Sequence, residues 1–189
     1  MNEQVRAIND AVPAPLIVGI SGNLARPSRT RVLVEAILAE AAGRGLGRTE
    51  AFDLVDAGPG LGMAVGRKDA PAALERVWHA IETCDALVVA SPVYKGSYGG
   101  LLKHLFDLLD MKALAGRPVV LAATGRAEQH ALMIEHGMRP LFGFFGALTL
   151  PGAIHATEKD FASPDELTPA ARERVAAAVD QLARVLRPA

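Results

Sequence analysis

The sequence carries a single cysteine, Cys84, among its 189 residues. A disulfide framework within one chain is therefore excluded, and so is a zinc site built on paired cysteines. An excess of charge of one sign is also missing. The net charge is −1, which gives no field to draw in nucleic acid or an anionic membrane. No apolar run reaches the roughly 18 residues that a spanning helix needs. Residues 1–12 lack a basic start followed by an apolar stretch, so no secretory signal is expected. With one thiol and no leader, a reducing cytoplasm is the expected compartment. No His/Asp/Glu cluster has metal-ligand spacing, and the G-x-S-x-G elbow of a serine hydrolase is missing. Aromatics are few: one tryptophan and two tyrosines, Tyr94 and Tyr98.

What is present is apolar. Half of the residues, 50%, are hydrophobic, which excludes a disordered chain and can fill one core at this length. Residues 1–13 read as a polar, mobile lead, and 14–189 as one domain without linker or internal repeat.

Short apolar runs alternate with helical patterns. Residues 15–20, 85–90 and 118–123 are continuous apolar strands with no alternation, as in parallel strands covered on both faces. Residues 49–55 form a weaker second strand and 147–155 a fifth. The first helix carries Leu33, Val34, Ile37, Leu38 and Ala41 on one stripe and ends at Gly43 and Gly45. Helix two covers residues 70–83. Helix three places Leu101, Leu102, Leu105, Leu108 and Leu109 on its core face, which leaves Lys103, Phe106, Asp107 and Asp110 off the stripe. A fourth helix spans 128–145, and a C-terminal helix is marked by Val175, Val179 and Leu182. Five strands alternating with helices call for a doubly wound parallel α/β sheet. Strand order stays open between a half-Rossmann arrangement and 2-1-3-4-5.

In such sheets ligands bind beyond the carboxyl ends of the strands, where strand order reverses. For the order 2-1-3-4-5, that is at loops one and three. Loop one, residues 21–30, lacks both the G-x-G-x-x-G spacing and the G-K-[ST] ending of a P-loop. It offers hydroxyls from Ser21, Ser28 and Thr30, with Arg29, at a helix start. That donor set suits a terminal phosphate monoester, while Ser28 also reads simply as an N-cap. Loop three, residues 91–100, holds both tyrosines and two closing glycines, so its backbone can approach a flat, polar-edged ring. Loop four begins Thr124-Gly125 at the neighbouring strand end. Cys84 reads as a small buried residue, and His79 and His104 as helix-surface residues.

Ser21-Gly22 followed by Ser28-Arg29-Thr30, the run Ser91-Pro92-Val93-Tyr94-Lys95-Gly96-Ser97-Tyr98, and Ala123-Thr124-Gly125 resemble the NAD(P)H-dependent FMN reductases over about residues 15–187. Within that family the chain is similar to the reductase components of two-component sulfonate monooxygenases, and most of all to the methanesulfonate-linked FMN reductase. The resemblance implies a flavodoxin-like fold with strand order 2-1-3-4-5 and an oxidoreductase that uses FMN with NADH or NADPH. Hydride transfer to flavin N5 would give FMNH2 for a sulfonate monooxygenase in sulfur acquisition. A homodimer or homotetramer is implied, and the apolar fourth helix with helix three is expected to form its interface. Carried over by position, Ser21, Ser28, Arg29 and Thr30 would hold the FMN phosphate. Pro92, Val93, Tyr94, Lys95, Gly96 and Ser97 would line the ribityl chain and ring, and Thr124 and Gly125 would meet the ring's polar edge. Lys95 is a candidate to stabilise the reduced flavin. The alkanesulfonate-linked relatives carry a tyrosine in a one-residue π-type insertion, and the matching position here is His136, beside Gly137 and Pro140. The rival readings are an FMN-containing quinone or azo reductase and a flavodoxin-type electron carrier without nicotinamide turnover.

Overall fold

The computed structural model describes residues 13–186. All but Pro13 of the lead expected over 1–13 lies outside the described residues. β1 (Leu16–Ser21) leads into α1 (Arg29–Gly43), β2 (Arg48–Asp53), the single turn α2 (Leu54–Ala57) and α3 (Ala72–Thr83). β3 (Ala86–Pro92), α4 (Gly100–Asp107), β4 (Pro118–Thr124), α5 (Arg139–Phe144) and β5 (Leu148–Thr149) follow. The chain ends in β6 (Ile154–Ala156), a β7–β8 hairpin (Phe161–Ser163 and Glu166–Leu167) and α6 (Pro169–Val185).

The main sheet is parallel, with order β2-β1-β3-β4-β5. That is the flavodoxin-like order, not the half-Rossmann one. Its central strands are apolar throughout because both faces are covered. Ile17, Val88 and Val120 pack with α1 and α6, while Val18, Leu87 and Leu121 pack with α3, α4 and α5. α1 lies against bare backbone at Gly19, where a Cβ would come within 2.5 Å of Val34 Cγ1. Trp78 is wholly buried in α3, and its indole N–H donates to Leu105 O at 2.9 Å. Cys84 is buried as expected, and burial pushes its thiol up to about 11.

Five expectations change. The fifth strand is split: β5 and β6 both pair with β4, but Val119↔Thr149 and Ala122↔Ile154 match three steps on β4 to five on the partner. Pro151, which cannot donate a ladder bond, sits in the two-residue excess. The second strand stops at Asp53, which caps α2 instead of continuing to residue 55. On α4 and the turn after it the buried face is Leu102, Leu105, Phe106 and Leu109, the i, i+3, i+4, i+7 set, so Phe106 belongs to the core and Leu101 turns outward. His104 is half-buried, with Nε2 2.8 Å from Ala64 O.

The fourth helix is not one regular helix over 128–145. A 3-10 turn (Glu128–Ala131) precedes a helical run over 132–144 whose middle, Ile134–Met138, is π-helical before α5 begins. His136 is the central residue of that stretch. Gly137 lets the backbone approach Tyr98: a Cβ there would lie 3.3 Å from the tyrosine ring. Among the described residues, no helix is long and apolar enough to cross a membrane.

Candidate functional site

The loops beyond the strand ends are tied together at their bases. Gly22 N–H donates to Ala90 O (2.8 Å), joining loop one to β3. Val93 N–H donates to Thr124 O (2.9 Å), joining loop three to loop four, and Gly125 N–H donates to Ala156 O (3.0 Å) at β6. The crevice where strand order reverses therefore has a fixed rim.

Loop one ends where α1 starts. Ser28 is the N-cap: its Oγ accepts from Arg31 N–H at 3.4 Å. Arg29 follows with a half-exposed side chain. Thr30 is buried, and its hydroxyl shares a hydrogen bond of 2.6 Å with that of Thr124. Ser28, Arg29 and Thr30 thus stand together at a helix N-terminus whose free N–H groups favour an anion. Ser21 is not brought to that surface. It is fully buried, and its hydroxyl donates to Asn23 Oδ1 at 2.6 Å.

Beneath loop one lies a network that the sequence reading missed. The Asp53 carboxylate is buried at the end of β2. It accepts from Asn23 Nδ2 (3.0 Å), Arg26 Nε and Nη2 (2.7 and 2.8 Å) and Arg31 Nη1 (2.9 Å). Burial alone would raise the Asp53 pKa. The bonds from Arg26, Asn23 and Arg31 outweigh it and hold the carboxyl well below the usual carboxylate range. The only signal in the sequence was Asp53 at the carboxyl end of a strand.

Loop three is a tight turn. Tyr94 N–H donates to Ser97 O (2.8 Å) and Ser97 N–H to Tyr94 O (3.0 Å). Lys95 and Gly96 lie between them with φ of 50° and 81°. A positive φ suits Gly96 but is uncommon for lysine. The turn holds the Lys95 side chain at an exposed tip. Ser91, buried at the loop's base, accepts from Gly99 N–H at 3.2 Å. The two tyrosines part ways: Tyr94 is 50% exposed, and Tyr98 packs towards the π-helical stretch.

A cleft of about 360 Å³ opens between these loops, lined by Arg29, Val93, Tyr94, Thr124, Gly125 and Glu158 among others. Gly125 is crowded from behind by two imidazoles: a Cβ there would lie 2.8 Å from His130 Nδ1 and 3.0 Å from His155 Nε2. His155 Nε2 is the one buried side-chain polar atom without a partner among the described residues. Burial, with His130 nearby, lowers its pKa below the ordinary value.

Two further clefts meet at His136, which is exposed. One, of about 430 Å³, runs along Gly96, Ser97 and Met133. The other, of about 710 Å³, lies between α4 and α5 and is lined by Tyr98, Lys103, Met111 and Phe144. Phe144, Met111 and Leu132 are exposed at 68%, 68% and 59%, an apolar surface unusual for a free protomer.

The crevice combines hydroxyl, guanidinium and free backbone donors at one end with an open, glycine-bearing wall of loop backbone at the other. That donor set fits a group with a phosphate monoester at one end and a flat, polar-edged ring at the other. The family model for NADPH-dependent FMN reductase matches residues 15–162. Over 167 residues the chain is 48% identical to the NADH-dependent FMN reductase SfnF of Pseudomonas fluorescens, covering 88% of this chain and 89% of that protein. It is 51% identical over 150 residues to an FMN reductase (NADPH) of Pseudomonas aeruginosa, covering 77% and 78%. The crystal structure of an oxidoreductase from Corynebacterium diphtheriae superposes with a TM-score of 0.79 at 32% identity, covering 93% of this chain and 98% of that one. The chain belongs to the NADPH-dependent FMN reductase family, oxidoreductases that work with FMN and NAD(P)H.

Proposed function

We propose that the chain takes up FMN as a dissociable substrate, reduces it with a nicotinamide, and releases FMNH2 to a flavin-dependent monooxygenase acting on sulfonates. The observation that carries this reading is the meeting of Arg29, at the start of α1, with loops three and four in one solvent-open crevice, where the Thr30–Thr124 hydroxyl bond ties α1 to loop four. In this reading Ser28, Arg29, Thr30 and the free N–H groups of α1 hold the phosphate. Ser21 acts at one remove by fixing Asn23. Pro92, Val93, Tyr94, Lys95, Gly96 and Ser97 line the ribityl chain and one edge of the ring, and Thr124 and Gly125 meet its polar edge.

Bound FMN supplies the redox chemistry by accepting hydride from the nicotinamide at N5. The protein's part is placement and charge. The stitched loop bases would hold the ring wall in place, and hydride transfer requires the nicotinamide to reach the ring at near-contact distance. Lys95, at the exposed tip of loop three, would offer a positive charge to the negative charge that grows on a flavin ring on reduction. No protein general base is assigned, since hydride transfer needs none.

The same reading makes the chain a homodimer or homotetramer through α4 and the helical run over 132–144, which covers Phe144, Met111 and Leu132. The experiment is a titration of free FMN into purified protein with NADH or NADPH. Saturable, FMN-dependent oxidation of the nicotinamide is expected. A protein that keeps its flavin and turns over only with a quinone would overturn release, and a flavin-bearing protein inert to nicotinamide would overturn the reductase reading altogether.

A further inference from the structure

Arg29, the first residue of α1, has two neighbours from the segment after β6. Its guanidinium carbon lies 5.5 Å from the centroid of the Phe161 ring, and its Nη1 lies 3.4 Å from Glu158 Oε1. All three residues line the 360 Å³ cleft together with Thr124 and Gly125.

Glu158 is placed by a braced segment. It opens a 3-10 turn (Glu158–Asp160) whose entry is closed by Asp160, with Oδ2 accepting from Thr157 N–H (2.6 Å) and Thr157 Oγ1 (3.1 Å). Asp160 is paired in turn with Arg174 of α6, and Arg174 Nη1 donates to His155 O at 2.8 Å. Both sides of the turn are therefore anchored to α6 and β6. The carboxylate stands beside Arg29, the arginine that α1 presents to the cleft; Arg126 of loop four also lines it. Arg26 and Arg31 are already committed to Asp53 and Asp56.

A carboxylate in that position has two effects on an incoming phosphate. It occupies the guanidinium that the phosphate needs, and it repels a dianion. Both groups are substantially exposed, at 44% and 65%, so solvent keeps either effect modest. Phe161 holds the guanidinium from below, so Arg29 can exchange one anionic partner for the other without leaving the ring.

We propose that Glu158 is a built-in competitor for the phosphate subsite: it lowers the affinity for phosphorylated flavins, FMN and FMNH2 alike, and so keeps flavin binding readily reversible. This rests on the reading that places the FMN phosphate at Ser28–Thr30. It goes beyond that reading by giving a residue outside the binding motifs control over whether the flavin stays or leaves. In the oxidised flavin the effect is specific to the phosphate monoester, because the oxidised isoalloxazine ring carries no charge for Glu158 to oppose.

The test compares FMN with riboflavin, which has the ring and ribityl chain but no phosphate. Both are titrated, by flavin fluorescence, into the wild-type protein, Glu158→Gln and Arg29→Gln. For Glu158→Gln, FMN should bind about three- to fivefold tighter, the range open to one exposed ion pair. Riboflavin affinity should not move, and the gain should shrink in 0.5 M salt as screening grows, at a Debye length of roughly 4–5 Å. Arg29→Gln should weaken FMN and leave riboflavin alone. The proposal is overturned if Glu158→Gln leaves FMN affinity unchanged or weaker, or tightens riboflavin equally, while Arg29→Gln still weakens FMN. If Arg29→Gln leaves FMN affinity unchanged, the phosphate placement falls, and the competitor role falls with it.

Discussion

The hydroxyls of Thr30 and Thr124 share a hydrogen bond of 2.6 Å across 94 residues of sequence, tying the first turn of α1 to the end of β4. The anion cradle of loop one and the start of loop four are joined at this pair. Thr30→Val keeps the shape and removes one partner, which strands a hydroxyl and costs about 1 kcal/mol. Thr30→Val combined with Thr124→Val should cost less than the sum of the two, because no hydroxyl is then left unmatched. Urea unfolding of the four proteins measures this, and simple additivity would contradict the pairing.

Asp53→Asn tests the network beneath loop one. Two arginines and Asn23 lose the carboxylate that collects them. The expected loss is about 2–3 kcal/mol, below the figure for a fully buried pair because Arg26 can turn to solvent. The pH dependence has a definite sign. Asp53 has a lower pKa in the folded chain than in the unfolded one, so its stabilisation is present above about pH 4 and is lost as pH falls below that. Acid unfolding of the wild-type protein should therefore steepen below about pH 4, and Asp53→Asn should flatten that limb. Equal slopes would contradict it.

The parts that were legible in the sequence were those with a local cause. β1, β3 and β4 could be read because a strand buried on both faces needs no alternation, and Val18 and Ile17 serve opposite cores. Loops one and three could be read because a parallel sheet puts its ligand crevice there. The Asp53 network could not be read, since its partners stand 22 to 30 residues away and no local pattern joins them. The broken fifth strand was hidden because Leu148, Leu150 and Ile154 look continuous until β4 sets their register. Phe106 was misplaced by the five leucines between residues 101 and 109, which allow two overlapping stripes. Only the packing against Phe142, with ring centroids 4.9 Å apart, selects one.

His155 gives a second pH signature, at a different pH. Its folded pKa is lowered by burial, with His130 and Arg174 lowering it further and Asp160 and Glu128 acting in opposition. The neutral ring is favoured in the fold. Its contribution is present above about pH 6.5 and is lost as pH falls through that value towards the lower folded one. Melting temperature should fall between about pH 7 and pH 5.5, and His155→Phe, which also removes the unpartnered Nε2, should reduce that fall without destabilising the neutral-pH protein. An unchanged pH profile for the variant would contradict this.

Phe144→Asp addresses the proposed interface. Phe144 is 68% exposed on the protomer, so the fold should lose less than about 0.5 kcal/mol. Light scattering after gel filtration should show a smaller particle. His136→Ala and His136→Tyr, at the centre of the π-helical stretch, should change particle size or FMN retention. No change in either quantity would remove His136 from the functional site.

A crystal structure of the chain with FMN tests the central claim most directly. The account predicts the phosphate against Ser28, Arg29 and Thr30, and the ring along residues 93–97 with its polar edge at Thr124 and Gly125. A flavin seated instead in the 710 Å³ cleft between α4 and α5, or a phosphate bound away from the start of α1, would contradict it.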